Sequence, residues 1–119
     1  MTFAAIRKKK DILFKSKVYT SSLLLAKGLR FSKHLQKNEA LLLASSKENL
    51  FAIDMLFVFF PIDAVWMDKN KKIMHIVRNV KPFACYVAPP RKAQYILECP
   101  ANSTKALKVN QRLSFAIHQ

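Results

Sequence analysis

The sequence predicts an α+β fold, mostly antiparallel β: a compact strand-rich single domain with two short helices. Three observations lead there. Apolar and polar residues alternate in short runs with the period of two that a half-buried strand shows. Helix signals are confined to two brief stretches, each opened by a capping residue. The chain has 119 residues, 51% of them hydrophobic, with nine Phe, three Tyr and one Trp. That is the length of one domain and enough apolar surface for one core, so disorder throughout is excluded.

Residues 1–11 read as a basic N-terminal arm, because Arg7, Lys8, Lys9 and Lys10 form an unbroken charged run. The β-rich domain is then 12–119. Ile12 to Thr20 alternates and predicts a strand. Thr20 or Ser21 caps a helix over Ser22 to Lys27. Gly28, the single glycine of the chain, ends it in the left-handed region open to glycine. Ser32 to Gln36 predicts a further helical turn, and Ala40 to Ser45 a short apolar strand. Phe51 to Phe60 and Ala64 to Asp68 read as strands broken by Pro61, which cannot donate to a ladder. Asp68 to Lys71 predicts a hairpin turn with Asn70 as its left-handed residue. Ile73 to Val80 pairs back. Pro82 to Pro90, with three prolines, is an irregular loop. Lys92 to Cys99 alternates as a strand. Asn102 or Ser103 caps the second short helix, through Leu107, and Leu113 to Ile117 is a last strand.

Three blocks fall in one order: Phe59-Phe-Pro-Ile-Asp-Ala-Val-Trp-Met-Asp68, Val80-Lys-Pro82 and Ala93-Gln-Tyr-Ile-Leu-Glu-Cys-Pro-Ala101. Together with Lys27-Gly-Leu-Arg-Phe31 and Asn38-Glu-Ala-Leu-Leu42, they resemble the domain-of-unknown-function family number 192, in the style of its archaeal members. The resemblance covers roughly residues 18 to 115. It implies a compact antiparallel β-domain and, for the class, no established activity. Two departures stand out. Asn102 replaces the family's glycine after Pro-Ala, and Val109-Asn110-Gln111 loses a glycine and an acid.

Charge carries the functional expectation. Lys plus Arg number 21 and Asp plus Glu 7, a net +14, where a small soluble domain usually carries a magnitude of about 2–8. Residues 1–37 and 69–119 each carry +9, and 38–68 carry −4. Self-repulsion on that scale calls for an anionic partner. Four clusters are candidate nucleic-acid contacts: Arg7, Lys8, Lys9 and Lys10; Lys27, Arg30, Lys33 and Lys37, spaced like one helical face; Lys69, Lys71 and Lys72; and Arg91 with Lys92. Lys15 and Lys17 on the first predicted strand join them. Such side chains neutralise phosphates without reading bases. A structured RNA recognised by shape fits better than a DNA-reading factor, because no helix-turn-helix or zinc finger is visible. The expectation is a cytoplasmic RNA-binding protein, ribosomal or ribosome-associated, contacting ribosomal RNA, with neighbouring ribosomal proteins as further partners.

The alternative is a small-molecule-binding module or enzyme with a carboxylate pocket. Asp63 and Glu98, both in the family-like blocks, are its candidate pair; Asp54 and Asp68 are weaker members. The plainer reading has Asp63 satisfying turn amides, Asp68 opening the hairpin and Glu98 pairing with an Arg or Lys. Trp66 and the run Phe57, Phe59, Phe60 can stack bases, but core packing is the plainer role. Cys85 and Cys99 do not sit at CxxC spacing and His34, His75 and His118 make no HxxxH, so no metal site is expected and the thiols read as reduced. No cofactor is expected, and one glycine cannot build a phosphate loop. Leu50 to Trp66 is too short and too charged to span a bilayer, and the first charges follow the apolar patch rather than precede it, so no membrane partner is expected.

Overall fold

A computed structural model describes residues 2–117. The strands are β1 (Thr2–Lys8), β2 (Asp11–Tyr19), β3 (Glu39–Asn49), β4 (Ile62–Met67), β5 (Ile73–Val80) and β6 (Ala93–Pro100), with a single helix, α1 (Ser22–Lys27). They form one sheet in the order β1-β2-β3-β6-β4-β5. Every neighbouring pair is antiparallel except β2 and β3, where Lys15 lies opposite Glu39 and Tyr19 opposite Leu43. The parallel pair exists because α1 and residues 28–38 carry the chain back to the start of β2 before β3 begins, the crossover a parallel pair requires.

The two edge strands are joined by the C-terminal segment. Arg7 and Ser114 exchange backbone hydrogen bonds at 2.9 and 2.8 Å, Leu113 N–H donates to the Lys71 carbonyl at 3.0 Å, and Ile73 N–H donates to the Gln111 carbonyl at 2.8 Å. Residues 110–114 thus form a strap between β1 and β5 that closes the sheet into a barrel. Inside lie Ile6, Phe14, Val18, Leu42, Val65, Met67, Ile73, Leu97, Leu107 and Leu113. Outside, Leu41, Leu43, Ile62, Ala64, Trp66 and Ile96 are covered by Leu29, Ile53, Met55, Val58 and Phe60 from the connections. β4 is buried along its whole length because both its faces are covered.

The α+β class with two short helices is overturned: among the described residues there is one helix of six residues beside six strands, an essentially all-β mixed sheet. α1 matches its expected span because its signals are local. Ser21 Oγ accepts from the Leu24 N–H, and Gly28, at φ 50°, returns its N–H to the Leu24 carbonyl. Residues 102–107 form turns instead of a helix. Buried Asp63 takes both the N–H and the hydroxyl of Thr104, and Asn102 sits at φ 69°. Ser32 to Gln36 is likewise irregular rather than helical.

The basic arm over 1–11 is also corrected. Thr2–Lys8 is β1, paired with β2 through a tight turn at Lys9 (φ 56°), because Ala4 and Ile6 alternate into the barrel. Phe51 to Phe60 is not a strand; it holds one bridge, Ile53 to Val87, one turn at Leu56–Phe57 and a bend at Phe60. Leu113 to Ile117 supplies one strap bridge, Ser114 to Arg7, rather than a strand. In the hairpin the left-handed residue is Lys71 (φ 64°), not Asn70. Asp68 Oδ1 accepts from the N–H of both Asn70 and Lys72, which places the bend one residue later.

Candidate functional site

The residues of β2 that turn away from the barrel interior bring Lys15 and Lys17 to the surface, between buried Phe14, Ser16 and Val18. Facing them, the end of α1 contributes Lys27 and the crossover after it Lys33 and Lys37. Together these five line a groove of about 960 Å³. At Ile12–Phe14 and Lys37–Asn38 it runs into a second groove of about 810 Å³, which adds Lys8 and Lys9 from the β1–β2 hairpin and reaches Pro100–Ser103. Seven lysines therefore share one continuous surface with two acids, Asp11 and Glu39. Glu39 is engaged, accepting from the Gln36 N–H at 2.8 Å.

The remaining basic candidates divide. Arg7 and Lys10 are exposed but line neither groove. Arg30 is not a free phosphate contact: it grips Asp54 through both terminal nitrogens at 2.7 Å and donates to the Ala26 and Leu56 carbonyls. Lys27, Arg30, Lys33 and Lys37 are not one helical face, since α1 ends at Lys27. Lys71 is half-buried, donating to the Phe115 carbonyl with its ammonium 4.5 Å from that ring's centre. Lys69, Lys72, Arg91 and Lys92 are exposed. β6 starts where β4 ends (Tyr95 opposite Met67), so these four sit at the end of the sheet away from Pro100 and the hairpin lysines.

Beside the groove lies an aromatic ledge. Phe31 stacks on Phe57 with ring centres 4.8 Å apart and planes at 20°. Phe83 meets Phe57 at 6.0 Å and Phe59 at 5.1 Å, both edge to face. The four are exposed at 72, 47, 42 and 60% for Phe31, Phe57, Phe83 and Phe59. Phe31, Phe57 and Phe83 all have positive φ (57°, 59° and 64°), a conformation that costs a bulky residue on the order of 1–3 kcal/mol. Core packing holds for Trp66, whose Nε1 donates to the Phe51 carbonyl at 2.7 Å, and for Phe60. It fails for Phe57 and Phe59. Phe31 and Phe83 were not expected; each stands alone in a loop, so no periodicity marks it. Phe31 also lines the lysine groove.

Asp63 and Glu98 are not brought together. In the β4–β6 register Asp63 lies opposite Cys99 and Ala64 opposite Glu98, so the two carboxyls leave the sheet on opposite faces. Asp63 is buried and saturated, accepting from the Asn79 N–H (2.9 Å), the Thr104 N–H (3.3 Å) and the Thr104 hydroxyl (2.7 Å). Cys99 beside it is buried and its thiol is pushed up to about 12, chiefly by burial. Cys85 is exposed, and both thiols are free.

Glu98 does not pair with an Arg or Lys. It is 3% exposed, and its Oε1 has no hydrogen-bond partner. A cavity of about 220 Å³ opens against it, bounded by Leu25–Arg30, Leu43, Phe51–Asp54 and Val58. Burial first, then repulsion from Asp54, pushes its carboxyl up to about 8, against a smaller pull from Arg30. Asp54 goes the other way: the Arg30 hydrogen bonds hold it below the usual carboxylate range. Among the described residues, no three His, Cys, Asp or Glu are grouped to hold a metal ion, and no helix is long and apolar enough to cross a membrane.

The comparisons agree on a family and a fold. Residues 4–115 match the model of the DUF192 family, described as Uncharacterized ACR. The UPF0127 protein TK1120 of Thermococcus kodakarensis is 26% identical over 85 residues, 71% of this chain and 53% of that protein. The chain thus spans about half the length of this curated relative. Two crystal structures share the fold. One is from Sinorhizobium meliloti 1021, provisionally described as a transcription regulator: TM-score 0.86, 14% identity, covering 96% of this chain and 92% of that one. The other, from Novosphingobium aromaticivorans DSM 12444 and of unknown function, gives 0.85, 17%, 94% and 83%. With its family-like blocks spread from the end of α1 to β6 on this barrel, and an archaeal relative among its matches, the chain belongs to the DUF192 family as an archaeal-type member.

Proposed function

We propose that this protein binds RNA, with its phosphates along the lysine groove and unpaired bases on the Phe31–Phe57–Phe83 ledge. Ribosomal RNA in the cytoplasm is the proposed partner. The observation that carries the reading is the continuous surface on which Lys8, Lys9, Lys15, Lys17, Lys27, Lys33 and Lys37 meet only two acids. A run of ammonium groups releases the counterions condensed on a nucleic-acid backbone, whatever its sequence. Exposed rings beside such a run suit single-stranded segments, since every base has a face to stack. This narrows the sequence expectation from folded RNA in general to the single-stranded stretches within it.

The test compares two charge-reversal variants by fluorescence anisotropy with a single-stranded oligoribonucleotide. Lys15→Glu/Lys17→Glu/Lys33→Glu/Lys37→Glu should abolish binding. Lys69→Glu/Lys72→Glu/Arg91→Glu/Lys92→Glu, at the far end, should leave most of it. Equal losses would make the effect one of net charge alone and remove the groove from the reading. Co-sedimentation with ribosomes, lost in the first variant and kept in the second, tests the proposed partner.

A further inference from the structure

A different observation carries a second site, one that does not rest on RNA binding. Glu98 is a carboxyl sealed from solvent by the fold, and a buried carboxyl without a partner is a costly thing to keep. Glu98 lines the 220 Å³ cavity, a volume of about seven waters at roughly 30 Å³ each. Leu25, Leu29, Leu43, Phe51, Ile53 and Val58 supply its apolar walls, beside the charged Lys27, Arg30 and Asp54. Gly28 forms part of the lining, and a Cβ there would stand 3.8 Å from Glu98 Oε1, so the backbone comes close without filling the space.

We propose that this cavity binds a small uncharged amide, a primary amide or a lactam, through the Glu98 carboxyl. A protonated carboxyl offers an O–H donor and a C=O acceptor side by side. A primary amide or lactam presents the complement, a C=O acceptor beside an N–H donor, so two hydrogen bonds form and neither partner needs a charge. The other charged groups of the lining leave a charged ligand little to hold. Arg30 and Asp54 saturate each other, and Asp54 also accepts from the Leu56 N–H at 3.0 Å. Lys27 of α1 turns its ammonium toward the Tyr19 ring, 5.9 Å from its centre. A cation would enter against the field of a +14 protein, and an anion would lie beside the Glu98 carboxyl with Arg30 already paired to Asp54.

The experiment is a titration of the full chain, labelled for amide NMR, with 2-pyrrolidinone; methylammonium and acetate serve as the charged comparators. At about pH 6, 2-pyrrolidinone should give saturable shifts confined to Leu25–Arg30 and Phe51–Asp54. At about pH 9.5, with Glu98 ionised, its affinity should fall about tenfold or more. Glu98→Gln, itself an amide with one donor and one acceptor edge, should bind at both pH values alike. Glu98→Leu should not bind. Absence of a saturable response to 2-pyrrolidinone, unchanged affinity in Glu98→Leu, or tighter binding of methylammonium than of 2-pyrrolidinone would overturn the proposal. If Glu98→Leu does not fold, a Glu98→Gln variant that keeps the wild-type pH dependence would overturn it equally. RNA affinity is unaffected in every arm, so the two readings fail separately.

Discussion

Glu98 holds a proton that the unfolded chain would release. Its folded value is about 8 against an ordinary 4.5, so between those limits the unfolded state binds fewer protons than the native one. Stability must then fall as pH rises through that window, with a slope approaching 1.4 kcal/mol per pH unit, and level off above about pH 8. Urea midpoints from about pH 5 to pH 9 should show this decline, and Glu98→Gln should flatten it. Asp54 contributes the opposite trend: its depressed carboxyl adds stability above the ordinary carboxylate range that is lost as pH falls below it. The effect is small, about 1 kcal/mol or less, because the ion pair is partly solvated. Asp63→Asn should cost about 1–3 kcal/mol in chemical denaturation, since three donors lose a charged acceptor. Both acids were legible in the sequence as members of its family-like blocks. Their separation was not. Residues 63 and 98 face apart only because Ala64, rather than Asp63, lies opposite Glu98, and a one-residue change of register would reverse it.

At the scale of elements, legibility followed the range of the forces. α1 and the β4–β5 hairpin are fixed by groups within four residues of one another, the Ser21 cap and the Asp68 side chain, and both were readable. The 102–107 turns are set by Asp63, forty residues away, and β1 by the barrel interior. A window around residues 1–10 shows the charge run and hides the two side chains that matter, Ala4 and Ile6. Deleting residues 2–8 should therefore abolish cooperative thermal unfolding instead of leaving the fold intact, because it opens β2 and leaves the strap without its partner Arg7. Circular dichroism melts of the deletion and of Ile6→Ala check this. The single substitution should cost about 2–5 kcal/mol, as for other fully buried Ile residues.

The whole molecule is a barrel on which two adjoining grooves concentrate seven lysines. The net charge was plain from composition, but which lysines converge was not, because β2, the 27–38 crossover and the β1–β2 hairpin are brought together by topology. If all seven meet phosphates on a single strand, log K should fall against log salt with a slope near −5, about 10³-fold between 50 and 200 mM. Anisotropy titrations across that range measure it. A slope near −1 would leave the groove with one or two contacts and remove it as an RNA track. Replacing Phe31 and Phe57 with Ala should weaken single-strand binding by about 1–3 kcal/mol per lost stack while leaving the salt slope unchanged.

The strap of residues 110–114 also governs when the protein can finish folding. Synthesis runs from the N-terminus, so β1 and β2 emerge before the other strands of the barrel, and the outer edge of β1 has no partner until the strap arrives more than a hundred residues later. Loop closure on that span is slow, and an open edge in the meantime invites pairing with other nascent chains. Chains stalled on the ribosome before residue 110 is exposed should remain sensitive to protease at β1. Protection should come in a single step once the strap clears the exit, making the arrival of the strap the event that completes the barrel.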